Sequence, residues 1–191
     1  MGEAGRVIAG SARGVRLLAP PAVTRPLTDR VKQSLFGALL AQGVVGEGCA
    51  FLDLFAGSGA AGIEALSLGC RAAVLVERDA EAARVISSNL ARAQVEGGSV
   101  IRRDVMRFLA ADPPPTAPFD AVLLDPPYGD QVLVRALEPL GQPAGGWLVD
   151  GAIVVAKHFW RDEPPDDAGL LGQLREKRFG ETMLTFYRYG P

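Results

Sequence analysis

Cysteine is scarce in this 191-residue chain, which carries only Cys49 and Cys70. With so few thiols and no secretory apolar region near the N-terminus, a disulfide framework is not expected, and both side chains are read as reduced. Long apolar runs are also missing: no stretch approaches the roughly 18 residues of a membrane span. A soluble cytoplasmic protein, without membrane attachment, follows as the expectation. Neither sign of charge dominates, the net value being −2, which argues against a nucleic-acid coat protein. There is a single histidine, His158, weighed as a base or RNA contact against a surface or packing residue. No metal site is assigned, and no internal repeat is found.

What is present suits one compact α/β domain. Hydrophobic residues make up 48% and charged residues 22% of the chain, enough to bury a sizeable core without disulfides or metals. The charge is unevenly placed. Residues 1–34 hold Arg6, Arg13, Arg16, Arg25, Arg30 and Lys32 against Glu3 and Asp29, a net +4, leaving −6 for the remainder. A basic arm on an acidic body reads as a phosphate-facing segment or as a solvated basic edge. The expected division is an arm over residues 1–45 and a catalytic core over 46–191.

Short strands are expected at Arg6–Ala9 and Val15–Leu18 around a turn-prone stretch. Pro20, Pro21 and Pro26 then form an extended linker, and Thr28 caps a helix from Asp29 to about Leu40. From residue 50 the pattern alternates. Apolar strands are expected at Ala50–Phe55, Ala72–Val76, Ser99–Arg102, Phe119–Leu124 and Ala152–Ala156, with a helix at Ala60–Leu68 and another, capped by Asp79, reaching about Ala93. Near-continuous apolar strands imply a parallel, doubly wound sheet covered on both faces. The tail, Leu174–Arg178 and Met183–Tyr189, reads as a closing antiparallel hairpin. Leu170–Leu174 is read as helix or loop packing, and Trp147 and Trp160 as packing residues.

Two motifs carry chemistry. Gly57-Ser58-Gly59-Ala60-Ala61-Gly62 follows a strand and fits G-x-G-x-x-G, where glycine lets backbone approach a nucleoside cofactor. Asp53, four residues earlier, suits the ammonium of an amino acid better than a pyrophosphate. Glu77 ends the next strand, where a carboxylate accepts both hydroxyls of a ribose. Asp104 is either an acceptor for an adenine amine or a cap for the helix after it. The second motif is Asp125-Pro126-Pro127-Tyr128. An exocyclic base amine is a poor nucleophile because its lone pair is delocalised into the ring. Two acceptors, the Asp125 carboxylate and the Pro126 carbonyl, would favour its pyramidal form, Pro127 would stiffen the backbone, and Tyr128 would stack on the base.

With these motifs in place the chain resembles the bacterial small-subunit ribosomal RNA guanine-N2 methyltransferases, of the Rossmann-like S-adenosylmethionine class. The resemblance runs through Arg6–Gly10, Arg13–Leu17, Arg25-Pro26-Leu27-Thr28-Asp29-Arg30-Val31-Lys32, Leu52–Gly59, Val76–Asp79, Asp125–Tyr128 and Phe179-Gly180-Glu181-Thr182. It implies a class I methyltransferase fold with a small N-terminal β-hairpin and helix. It also implies S-adenosylmethionine as cofactor, held by Asp53, Gly57, Gly59 and Glu77 with Phe55, Ala56, Ser58, Arg78, Asp104 and Val105 beside them. Asp125 and Tyr128 would address the guanine amine. The basic arm would meet RNA phosphates, the substrate being RNA within a ribonucleoprotein particle and the enzyme a monomer. The chain departs from the family pattern at Leu27, at Gln33 and at Lys157-His158, where an acidic residue is expected. Alternatives weighed beside this are DNA adenine-N6 methylation, an NAD-dependent oxidoreductase and a non-catalytic RNA-binding module.

Overall fold

The computed structural model describes residues 2–21, 27–127 and 132–190. The chain opens with an antiparallel hairpin of β1 (Glu3–Arg6) and β2 (Arg16–Leu18), followed by helix α1 (Asp29–Ala41). Thr28 caps α1 by accepting a hydrogen bond from the Val31 N–H, as its side chain suits. The first strand ends earlier than the expected Arg6–Ala9. The reason lies in a distant residue: the Ile8 and Ala9 N–H groups donate to the buried carboxylate of Glu64 at 2.8–3.1 Å, so they are satisfied outside the ladder.

The core alternates strand and helix. β3 (Ala50–Leu54), α2 (Ala60–Ser67), β4 (Ala72–Glu77), α3 (Ala80–Ala93) and β5 (Gly98–Arg102) come first. After them follow α4 (Val105–Leu109), β6 (Phe119–Leu124), α5 (Val132–Leu140) and β7 (Leu148–Phe159). β3 to β7 are parallel, and β10 (Thr182–Tyr189) and β9 (Leu171–Phe179) extend the sheet antiparallel, with β8 (Asp167–Ala168) at the edge. The strand order is β5-β4-β3-β6-β7-β10-β9-β8. β3 is buried along its whole length, because helices cover both faces of the sheet. Residues such as Phe51, Leu75 and Leu123 pack towards α1 and α2. The other parity, including Leu52, Val122 and Val154, packs towards α4 and α5.

The tail hairpin exists, but β9 begins at Leu171 rather than Leu174. The Leu170–Leu174 segment is largely strand and not helix packing, since Leu171 is buried and pairs with Tyr189. β7 is longer than the expected Ala152–Ala156, because β10 pairs with it out to Phe159.

The β-hairpin sits on the end of α2. A methyl group at Gly10 would lie 1.8 Å from the Ser67 carbonyl oxygen, so only glycine permits that approach. Among the described residues, no helix is long and apolar enough to cross a membrane.

Candidate functional site

The strand order turns back on itself between β3 and β6. β3 leads outward to β4 and β5, β6 leads the other way to β7, and a crevice opens beyond the carboxyl ends of the two central strands. A cleft of about 800 Å³ occupies this place. Of the ten cofactor-binding candidates, nine line it, Gly59 being the exception, and Asp125, Pro126 and Pro127 line it from the β6 side. Tyr128 lies outside the described residues.

Asp53 belongs to the middle of the sheet, 2% exposed. Its Oδ2 accepts the Gly62 N–H at 2.9 Å. Burial pushes its carboxyl up to about 7. The Gly62 hydrogen bond pulls the other way, while the charges of Asp125 and Glu77 add to the rise. A carboxylate so destabilised is suited to a cation that would replace its lost hydration.

Glu77, at the end of β4, is held by two backbone groups. Its Oε2 accepts from Gly57 N and its Oε1 from Asp79 N, both at 2.9 Å. Each oxygen keeps a second lone pair, so the carboxylate is oriented and still able to accept hydroxyls. Asp104 both lines the cleft and caps α4, accepting the Arg107 N–H at 3.1 Å. The two roles read for Asp104 from the sequence are therefore compatible.

Phe55 joins strand to glycine turn with φ +67, a conformation that aromatic side chains rarely adopt and that concentrates at functional sites. Gly59 has φ +78, and a methyl there would lie 2.9 Å from Ile86 Cγ2. Its glycine is required by the turn and by packing against α3, whereas close approach to a ligand falls to its neighbours.

Asp125 follows β6 and its N–H donates to the Leu54 carbonyl at 3.3 Å, which ties it to the end of β3. Its carboxylate oxygen Oδ1 lies 2.5 Å from Lys157 Nζ. Burial raises the Asp125 carboxyl above the usual range and the Lys157 ammonium opposes that rise. Lys157 was not a site candidate from sequence; its signal was the basic residue standing where an acid was expected. Arg135, on α5, also lines the cleft and carries no motif that could have flagged it.

His158 is buried. Its Nε2 is 2.8 Å from the Thr185 hydroxyl and its Nδ1 2.8 Å from the Phe159 carbonyl, which makes it a packing residue. Trp147 is buried against Phe108, and Trp160 lies beneath the Arg178 guanidinium at 3.9 Å.

The basic arm divides. Arg13 is exposed. Arg6 and Arg16 are exposed but engaged, Arg6 with Asp29 at 3.1 Å and Arg16 with Glu3 at 2.8 Å. Arg30 is exposed and stands 5.9 Å from the Phe179 ring centroid. That contact joins two motif segments from opposite ends of the chain. Arg25 lies outside the described residues.

Lys32 corrects the sequence reading: it is fully buried, donates to the Arg6 carbonyl, and lies 3.7 Å from Asp29 and 3.9 Å from Glu64. Its ammonium clamps the hairpin, α1 and α2 together, and it is not available to a phosphate.

Residues 5–188 match the family described as conserved hypothetical protein 95. The chain belongs to this family. YlbH of Bacillus subtilis (strain 168) is 37% identical over 185 residues, covering 96% of this chain and 98% of that protein. Ribosomal RNA small subunit methyltransferase D of Escherichia coli (strain K12) is 34% identical over 184 residues, covering 96% and 89%. The solved structure of yhhF from Escherichia coli superimposes with a TM-score of 0.86 at 32% identity, covering 98% of each chain. The fold is thus the Rossmann-like fold of the methyltransferases, with a small N-terminal hairpin and an antiparallel C-terminal extension.

Proposed function

We propose that this family member methylates the exocyclic N2 amine of a guanine in small-subunit ribosomal RNA, using S-adenosylmethionine. The observation that carries this reading is the meeting of Asp53 and Asp125 in one cleft at the sheet's turning point, with Glu77 beside them. Relatives named ribosomal RNA small subunit methyltransferase D support the substrate class.

The residues fit the cofactor. Asp53, whose carboxyl burial raises to about 7, suits the amino-acid ammonium. Glu77 suits the ribose hydroxyls, and Asp104 the adenine amine. When bound, the cofactor supplies an electrophilic methyl on a sulfonium. Transfer of that methyl would break its carbon–sulfur bond, leaving a neutral thioether, and form a carbon–nitrogen bond, while the proton displaced from the amine would pass by way of the Asp125 carboxylate to solvent. Asp125 and the Pro126 carbonyl accept hydrogen bonds from the amine and turn its lone pair out of the ring plane. The Asp125 charge also stabilises the positive charge arriving at nitrogen. Tyr128 is assigned the stacking role.

The exposed arm residues Arg6, Arg13, Arg16 and Arg30, with Arg25 between them in sequence, are assigned to RNA phosphates. The substrate is taken as RNA in a ribonucleoprotein particle in the cytoplasm, and the enzyme as a monomer.

The test supplies labelled S-adenosylmethionine and small subunits from cells lacking the endogenous activity, then identifies methylated nucleosides by mass spectrometry. N2-methylguanosine is expected, and its loss in Asp125→Asn with cofactor binding retained. Methylated adenine in DNA, or no product on subunits or free ribosomal RNA, would sink the reading.

A further inference from the structure

We propose that Lys157 is a positioning residue for methyl transfer, its ammonium fixing one oxygen of Asp125 so that the other is presented to the target amine. This rests on the reading of Asp125 as the amine's acceptor.

The placement follows from strand register. β6 and β7 are parallel with Leu124 opposite Ala156, so the next residues, Asp125 and Lys157, are neighbours at the carboxyl edge. Lys157 continues the buried run Ala152–Ala156, is 6% exposed, and lines the cleft with Asp125. The five residues before it, Ala152–Ala156, and its register partner on β10, Leu184, are apolar and buried, so an apolar side chain would serve a purely structural role at least as well. Burying an ammonium is expensive, and buried ion pairs are weak contributors to stability. A lysine here is better explained by what it does to Asp125.

Two effects follow from the 2.5 Å contact. The first is orientational. The terminal torsion of an aspartate is broad and nearly two-fold, so an unanchored carboxylate presents either oxygen over a range of angles. With Oδ1 held by Lys157, that torsion is set before substrate arrives, and Oδ2 remains for one amine hydrogen.

The second is electrostatic. Charged groups sharing the cleft with Asp125 are Asp53 from β3, Glu77 from β4, Asp79 before α3 and Asp104 before α4, with Arg78, Arg135 of α5 and Lys157 of β7 as the cations among the described residues. In this acidic, partly dry crevice the lysine opposes protonation of Asp125. A protonated acid would place a donor where an acceptor is required.

The experiment compares wild type with Lys157→Met and Lys157→Arg. One readout is the ¹³Cγ signal of Asp125 followed by NMR across pH, which needs no RNA. The other is the single-turnover methylation rate on small subunits across pH. In Lys157→Met the Asp125 carboxyl should titrate at higher pH, and the acid limb of the rate profile should move in the same direction. The maximal rate should fall roughly ten- to hundredfold, as expected for a misplaced acceptor, with cofactor Kd and substrate KM unchanged. Lys157→Arg should restore most of the rate and the acid limb.

An Asp125 signal and acid limb that stay in place in Lys157→Met overturn the inference. So does a rate loss matched by an equal loss of cofactor binding, which marks Lys157 as structural. If Lys157→Met does not fold, Lys157→Gln takes its place under the same criteria. Full activity in Asp125→Asn is a separate result: it overturns the reading of the site on which this inference stands.

Discussion

Replacing Asp53 by Asn should change how stability depends on pH, in a direction that tests the reading of this carboxylate as a cation receptor. In the folded protein the Asp53 carboxyl is pushed up to about 7, chiefly by burial, against 3.8 when unperturbed. Between these values the unfolded chain has released the proton and the folded protein retains it. Stability contributed by this group therefore falls as pH rises, by about 1.4 kcal/mol per unit. It is unaffected well below pH 4 and levels off above pH 7, for a total of about 4 kcal/mol.

Asparagine keeps the shape and an oxygen for the Gly62 N–H, but it does not titrate. Between pH 5 and pH 8 the variant should therefore gain about 3 kcal/mol relative to wild type in urea unfolding without cofactor. Groups common to both proteins cancel in that difference. The ligand should oppose the effect, because its ammonium favours the ionised acid. Cofactor affinity of the wild type should weaken about tenfold from pH 8 to pH 6, and that dependence should vanish in Asp53→Asn. Parallel stability profiles for the two proteins would refute the reasoning, because they would mean that Asp53 is ionised in the folded state across the whole range.

Other predictions concern the arm. Lys32→Met should destabilise by about 3–5 kcal/mol, because it leaves the fully buried Glu64 without its cation. Hydrogen exchange should show protection lost first at Ile8 and Ala9, whose N–H groups Glu64 accepts; a loss below about 1 kcal/mol would mean the pair is incidental. Removing charge together at Arg13, Arg16 and Arg30 should flatten the salt dependence of RNA binding by about 0.7–0.9 in log–log slope per lost phosphate contact. An unchanged slope would remove the arm from the RNA interface.

Much of this architecture was readable in the sequence because its signals are local. Apolar runs that carry Asp53 near the carboxyl end or stop at Glu77 and Asp125, each followed by turn or cap chemistry, place the strands and their carboxyl ends without knowledge of the partners. Thr28, Asp79 and Asp104 cap the helices that follow them, since a cap needs only the next three residues. The glycine turn and the Asp-Pro-Pro segment are likewise contiguous, and all nine cleft-lining cofactor candidates came from such stretches.

What the sequence left open depends on residues far apart in the chain. The first hairpin strand stops short because Glu64, more than fifty residues away, takes the N–H groups of Ile8 and Ala9. β9 starts at Leu171 because Tyr189 pairs with it. Composition counted Lys32 as part of a phosphate-facing arm, since a charge count registers a lysine without its burial; packing against α2 made it a clamp. Lys157 stood in the sequence as a departure without a partner. Only the parallel register of β6 and β7 brought its ammonium to Asp125. Sequence by itself pointed to methyl transfer through motifs whose residues lie within a few positions of one another. The tertiary structure alone decided which charges face the cleft, which face solvent and which hold one another, because burial and pairing are properties of neighbours in space.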